Sequence, residues 1–249
     1  VTRTRIIAIL ALLATAVLAA PADATSARGA QQAARPIVGQ CRTTTYAQAS
    51  GSTDPRMPVP CSRVHRLKTY AVVTVPMKYN LYKPNGPAFS HYAYVVCTRK
   101  FWSALGGNSA TRSQTSYEEA YFLPTKAQLK TGARWLRCDV SLYGAVPGSY
   151  SYFQPLPNLQ FPLIGTRPIT DATRRCLANA GNDYVTTCNR PHVARADQTF
   201  TINSTAVPSH AAINAQASTT CPGKRIVYPY PLQWELGNHT ITCFTKTTT

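Results

Sequence analysis

Eight cysteines fall into two successive blocks of four, and each block carries the same small signature. The first holds Cys41, Cys61, Cys97 and Cys138; the second holds Cys176, Cys188, Cys221 and Cys243. In both, the second cysteine opens a Cys-x-Arg-x-His string: Cys61, Arg63, His65 and then Cys188, Arg190, His192. The ends of the blocks also align without a gap at an offset of 105. Pro124, Gln128, Gly132 and Cys138 fall on Pro229, Gln233, Gly237 and Cys243, and Leu129 falls on Trp234. Repetition of this kind sets the number of structural units before any single residue is interpreted. The expectation is an α+β chain of two tandem small disulfide-braced modules, each a few-stranded antiparallel sheet with one main helix.

Whether the cysteines act as thiols, metal ligands or bridges depends on the compartment. Arg3 and Arg5 precede an apolar stretch from Ile6 to Ala20, and Ala22-Asp23-Ala24 offers a small-x-small cleavage site. That is the layout of a secretory signal peptide, residues 1–24. The apolar core is short of the ~20 residues of a membrane span, so a membrane role is expected only if this segment stays uncleaved. Residue 1 is valine; read as a GUG start codon translated literally, it points to a bacterial, GC-rich source. The destination is secreted or cell-envelope. Outside the cytoplasm an even cysteine count reads as a disulfide framework. Each block allows three pairings, which sequence leaves open. Pairing first with second and third with fourth is favoured: Cys41-Cys61, Cys97-Cys138, Cys176-Cys188 and Cys221-Cys243. The short Cys176 to Cys188 interval suits a strand-turn-strand staple with Gly181-Asn182-Asp183 as the turn. Each bridge would contribute about 2–4 kcal/mol.

The formal charge is +17. Cleavage at residue 24 would remove Arg3, Arg5 and Asp23, leaving 24 basic and 8 acidic residues, or +16. Such an excess implies polyanionic surroundings. The basic residues are scattered (Arg63, Arg66, Lys68; Arg99, Lys100; Lys126, Lys130, Arg134, Arg137), and no nucleic-acid-binding motif is present.

Along the chain, residues 25–36 read as a disordered tether. The first module spans 37–145. Ile37 and Val38 are expected in a first strand and Thr69 to Pro76 in a second. Ala88 to Leu105 is expected as a helix carrying Cys97, with Ser90 as N-cap, Phe89, Ala93, Val96, Lys100 and Ala104 at helical spacing, and Gly106-Gly107 ending it. Tyr117 to Leu123 is a strand, Pro124 to Lys130 a helical turn closed by Gly132, and Trp135 to Tyr143 the closing strand. Residues 146–168 form a Pro/aromatic connector, extended and semi-rigid, whose Tyr150, Tyr152, Phe153 and Phe161 are placed to lie across a module. The second module, 169–249, follows the same order. Its strands lie near Cys176 and at 183–188, 199–202, 226–230 and 238–244, with a helix from Ser209 to Cys221.

The motif order resembles the septum-formation-related domain of exported and membrane-anchored actinobacterial proteins. The residues concerned are Gly39 and Cys41, then Val59 to His65, a β-branched strand, and a helix with a central cysteine, Cys97. Pro124, Gly132, Arg134 and Cys138 close the series. Where that family carries a tryptophan three residues before the glycine, the second block has Trp234 and the first has Leu129. The second block likewise has Cys-x-x-Pro-His (Cys188, Pro191, His192), where the first has Val64 before the histidine. The resemblance covers most of 37–145 and, more loosely, 169–246. It implies a small α+β module of the cell envelope linked to septum formation.

His65 and His192, each four residues after a cysteine, are the obvious site candidates. A metal would need free thiolates and further ligands, so each imidazole is expected to pack beside a disulfide and bond to backbone; no metal and no cofactor are expected. With Arg63 and Arg190 they form a candidate anion or partner contact. Trp135 and Trp234 are expected to pack against the disulfides. Hydrolase and nucleotide signatures are missing, and Glu118 and Glu119, adjacent on a strand, point to opposite faces. The reading is an exported, non-catalytic binding or scaffold protein of the cell wall or septum, meeting an anionic wall polymer or an envelope or division protein, with no nucleic acid. The alternatives are an exported hydrolase or redox protein using Cys/His, and a secreted effector.

Overall fold

The computed structural model of the chain describes residues 35–145, 152–165, 167–179 and 184–247. The expected signal peptide, the tether up to residue 34, Tyr150 and the turn Gly181-Asn182-Asp183 lie outside them. Two antiparallel sheets build the α+β fold, one per cysteine block. The first module contains β1 (Cys41–Arg42), α1 (Tyr46–Ala49), β2 (Leu67–Thr74), α2 (Pro87–Leu105), α3 (Ser109–Ser113), β3 (Tyr117–Phe122), α4 (Lys126–Lys130), β4 (Trp135–Gly144) and β5 (Tyr152–Gln154). The second contains β6 (Arg175–Leu177), β7 (Val185–Thr187), β8 (Ala194–Thr201), α5 (His210–Thr220), β9 (Arg225–Val227), α6 (Pro231–Glu235) and β10 (Thr240–Lys246).

The sheets run β1-β2-β4-β3, with β5 added to β4, and β7-β6-β8-β10-β9. Strands β1 to β4 thus match β6, β8, β9 and β10, and in each module the last long strand enters the middle. The likeness extends to detail. Asp139 faces Thr69 and Cys138 faces Ala71, so Tyr70 bulges out of β2. Phe244 faces Ala196 and Cys243 faces Gln198, so Asp197 bulges out of β8 at the equivalent place. Such a bulge increases the twist of the pair. The turn before each central strand repeats as well. The amide of Thr125 donates to Gln128 Oε1 at 2.8 Å, and that of Tyr230 donates to Gln233 Oε1 at 3.4 Å. Gly132 and Gly237 follow at φ +85° and +94°, a backbone conformation that closes a helical turn and suits glycine.

Helix α2 starts from Gly86 and Pro87, not from Ser90, and stops at Gly106 with φ +71°. Its buried stripe is Phe89, Ala93, Cys97, Phe101 and Leu105, each four residues on, with Thr98 beside it. Lys100, expected on this stripe, is exposed. The bridge from Cys97 to Cys138 of β4 fixes the rotation of the helix. The stripe packs on Leu136, Cys138, Val140 and Leu142, and this is the main core. The loop of residues 44–60 covers the other face of the sheet, tied down where Leu123 donates to the Ser52 carbonyl at 2.8 Å.

Residues 152–165, expected as a connector, are built into the first module. Strand β5 pairs with Leu142 to Gly144, and Leu156, Leu163 and Ile164 are buried in the main core. Lys68, almost without solvent contact, donates its ammonium to the Leu159 carbonyl and sits 5.0 Å over the Phe161 ring. Apolar residues recur in this stretch closely enough to bury it, which outweighs the stiffness of its prolines. A Cβ on Gly106 would come within 2.8 Å of Pro162, so that glycine both ends the helix and admits the connector. At the N-terminal edge Ile37 and Val38 are exposed and outside any strand. Arg35 reaches back to Thr74 Oγ1 at 2.9 Å.

The two modules share a seam. Thr115 bridges to Arg174, Ser116 donates its amide to the Thr173 carbonyl at 2.9 Å, and Arg175 returns a bond to Gln114 at 2.8 Å. Helix α3 of the first module lies against β10 of the second, where Thr242 Oγ1 donates to the Ser113 carbonyl at 3.4 Å.

Candidate functional site

The cysteines pair as Cys41–Cys61, Cys97–Cys138, Cys176–Cys188 and Cys221–Cys243, and no cysteine is free. Each Cys-x-Arg-x-His string forms a tight corner. Arg63 donates its amide to the Pro60 carbonyl at 2.9 Å, and Arg190 to that of Thr187 at 3.1 Å. Each buried imidazole then donates from Nδ1 to the arginine carbonyl two residues back: His65 to Arg63 at 2.9 Å and His192 to Arg190 at 2.7 Å. A carbonyl can only accept, so this contact requires a proton on Nδ1. A ring nitrogen of His192 lies within 4.8 Å of the sulfurs of Cys176 and Cys188. Those sulfurs are bonded to one another, so the thiolates a metal would need are consumed. The side chains of Arg63 and Arg190 stand in solvent.

The structure brings the two corners to one place, which the sequence did not indicate. Both abut the short stretch that carries β5. The His65 backbone carbonyl accepts from the Leu156 amide at 2.8 Å, and Arg66 Nε donates to the Phe153 carbonyl at 3.2 Å. From the second module, Arg190 Nε approaches Gln154 Oε1 at 3.4 Å, and the Gln154 amide donates to Thr187 at 2.9 Å. At ~3.3 Å of rise per residue, attachment points two residues apart lie ~7 Å from each other.

The two glutamates separate as the strand alternation requires. Glu118 pairs with Arg175 of the second module at 2.8 Å. Glu119 turns toward α2, accepting from Thr98 Oγ1 at 2.5 Å and from the Tyr70 hydroxyl at 3.3 Å. Burial lifts Glu119 to about 7; the Thr98 and Tyr70 bonds pull it down, and Glu118 pushes it up. With their side chains on opposite faces, the two carboxylates do not meet over one cleft.

The tryptophans also part company. Trp234 is fully buried with Ile213 and Ile241, stacks on His239 at 4.6 Å, and donates Nε1 to the Ser204 carbonyl at 3.0 Å. Trp135, by contrast, lies on the face of β4 opposite Cys138, away from that bridge, because odd and even positions alternate. Arg134, the motif arginine, donates to the carbonyls of Pro76 and Tyr79 at 2.8 Å each, a purely architectural bond.

Sequence reasoning missed a buried charge network on that same face. Arg137 bonds Asp54 at 2.8 Å and Asp139 at 2.9 Å while lying 4.4 Å over the Phe122 ring. Arg42 stands 4.0 Å from Asp54 and bonds Thr69 Oγ1 at 3.0 Å and Gln40 Oε1 at 2.9 Å. Thr44 Oγ1 adds a bond to Asp54 at 2.8 Å. Burial brings Arg42 down to about 10, with Arg137 adding to the fall and Asp139 and Asp54 opposing it. The signal that could have revealed it is the Arg-Cys-Asp run in an otherwise apolar closing strand. Charges at i and i+2 share a face, and a buried face must supply partners for them.

No protein-family model, curated protein or solved structure matches this chain. Fold and site define a two-module, four-disulfide α+β protein with an arginine-bearing corner in each module. Among the described residues, no helix is long and apolar enough to cross a membrane.

Proposed function

We propose that the protein is an exported, non-catalytic binding or scaffold component of the cell envelope that engages an anionic partner. Four disulfides fit an oxidising compartment, and a formal charge of +17 favours polyanionic surroundings. The observation that carries the reading is the convergence of the two corners on residues 153–156. Arg63 and Arg190, one from each module, are exposed residues of those two corners. Steering by scattered charge alone would not require that juxtaposition. The link to septum formation, and with it a division-protein partner, rests on the motif order around Cys41, Cys61 and Cys138. A cysteine nucleophile finds no support, since all eight sulfurs are bridged.

The test is sedimentation of the purified, oxidised protein with cell walls across a salt series, using walls with and without their anionic polymers. Binding should weaken steadily with salt and depend on the polymers. The double variant Arg63→Glu/Arg190→Glu should lose about tenfold in affinity, since two exposed contacts are each worth up to about 1 kcal/mol. Equal binding to stripped walls, or a double variant indistinguishable from the parent, would remove this reading.

A further inference from the structure

Beside the buried charge network lies a cavity of about 400 Å³, walled by the N-terminal segment before β1, the 54–58 loop, α4 and the start of β4. That volume is within the range of small-molecule pockets. Its polar lining is lopsided. Arg42 Nε, Arg56 Nη1 and Trp135 Nε1 are all buried and make no hydrogen bond among the described residues, although Arg42 Nε stands 4.0 Å from Asp54, and all three residues line this cavity. Asp139 Oδ1, a buried side-chain acceptor of the charge network with no hydrogen bond among the described residues, belongs to a residue outside the lining. Buried N–H groups without acceptors are rare and costly in folded proteins, and here three belong to residues that line one cavity.

Charge points the same way. Asp54 and Asp139 answer the two buried arginines, Arg42 and Arg137. Arg35 and Arg56 also line the cavity, and neither is paired with an acid among the described residues; Arg35 bonds only the neutral Thr74 hydroxyl and Val72 carbonyl. The remaining wall is apolar, including Ile37, Met57 and Pro58. Exposed Ile37, which belongs to no strand, has its place here.

We propose that this cavity is a binding site for a small carboxylate with an apolar body. Its two oxygens offer four lone-pair directions to the N–H groups of Arg42, Arg56 and Trp135, and its hydrocarbon portion lies along Ile37, Met57 and Pro58. A cation would be repelled by Arg35 and Arg56, and a neutral ligand leaves them unanswered. The site is separate from the corner arginines and stands whether or not those bind a polymer.

Isothermal titration of the oxidised protein with 4-phenylbutyrate, its amide and inorganic phosphate tests the assignment. Saturable one-site binding of the carboxylate is expected, with the amide and phosphate each weaker by at least about tenfold. Arg56→Gln and Trp135→Phe should each weaken the carboxylate about tenfold, while Arg63→Glu/Arg190→Glu leaves it unchanged. The proposal falls if the carboxylate does not saturate, if amide or phosphate binds as well, or if Arg56→Gln binds like the parent. Should Trp135→Phe fail to fold, Arg56→Gln decides alone, because its Nη1 has no partner to lose.

Discussion

The Ser116 hydroxyl of the first module donates to the Thr186 carbonyl of the second at 2.7 Å, and the bond is buried. It sits among the Thr173, Gln114 and Glu118–Arg175 contacts, so the boundary between the modules is a hydrogen-bonded seam. The two sides do not depend on it equally. The first module owns the large core under α2, whereas the second holds two small clusters, Leu177, Ala194, Ala196 and Phe244, and Ile213, Trp234 and Ile241. A fragment of residues 35–168 is therefore expected to keep a native-like near-ultraviolet circular dichroism spectrum. A fragment of residues 169–249 should lose it, since α3 no longer covers β10. A well-dispersed NMR spectrum from the second fragment alone would refute the dependence.

The bridges should differ in weight. Cys97–Cys138 closes 41 residues and Cys176–Cys188 only 12, so the chain-entropy relation gives about 4 and about 3 kcal/mol. Removing the first pair as Cys97→Ala/Cys138→Ala also frees the rotation of α2 on its sheet. Urea midpoints of the two double variants should fall in that order.

Asp54 holds Arg137 at 2.8 Å out of solvent. Asp54→Ala should destabilise the protein by about 3–5 kcal/mol, because it strands a buried cation. Replacing both as Asp54→Leu/Arg137→Met should recover part of that loss. Chemical denaturation of the three proteins checks the pattern, and a single variant no worse than the double would contradict it.

Glu119 gives stability a pH dependence of definite sign. Its folded-state value, about 7, lies above the ordinary carboxylate range, so the native state holds a proton that the unfolded chain has released. This contribution favours folding at low pH and is lost as pH rises from about 4.5 toward 7. Its size is on the order of 3 kcal/mol. Glu119→Gln should flatten the change in melting temperature between pH 5 and 8, and an unaltered slope would assign it elsewhere.

The fold was legible where repetition and punctuation coincide. Cys138 and Cys243, with Gly132 and Gly237 before them, mark the same turn and central strand twice. Tertiary demands set the rest. The stripe of α2 turned because Cys97 had to meet Cys138, and the 152–165 stretch joined the core because its apolar residues found a face to cover. The meeting of the two corners at residues 153–156 is a long-range event with no local pattern to announce it. The cavity at Trp135 was hidden for a different reason: it is defined by donors lacking partners, which only coordinates disclose.

The placement of β4 and β10 has a consequence for how the chain acquires its shape. In each module the strand at the centre of the sheet follows both of its long neighbours in the chain, and in the first only the short β5 comes after it. Until it arrives, the flanking strands on either side have no neighbour between them, and the cysteine it carries has no position from which to bond. Cys138 and Cys243 are the last cysteines of their blocks to emerge, so any bridge that Cys97 or Cys221 forms earlier is a non-native one. A cell that makes this protein needs either delay or a disulfide isomerase.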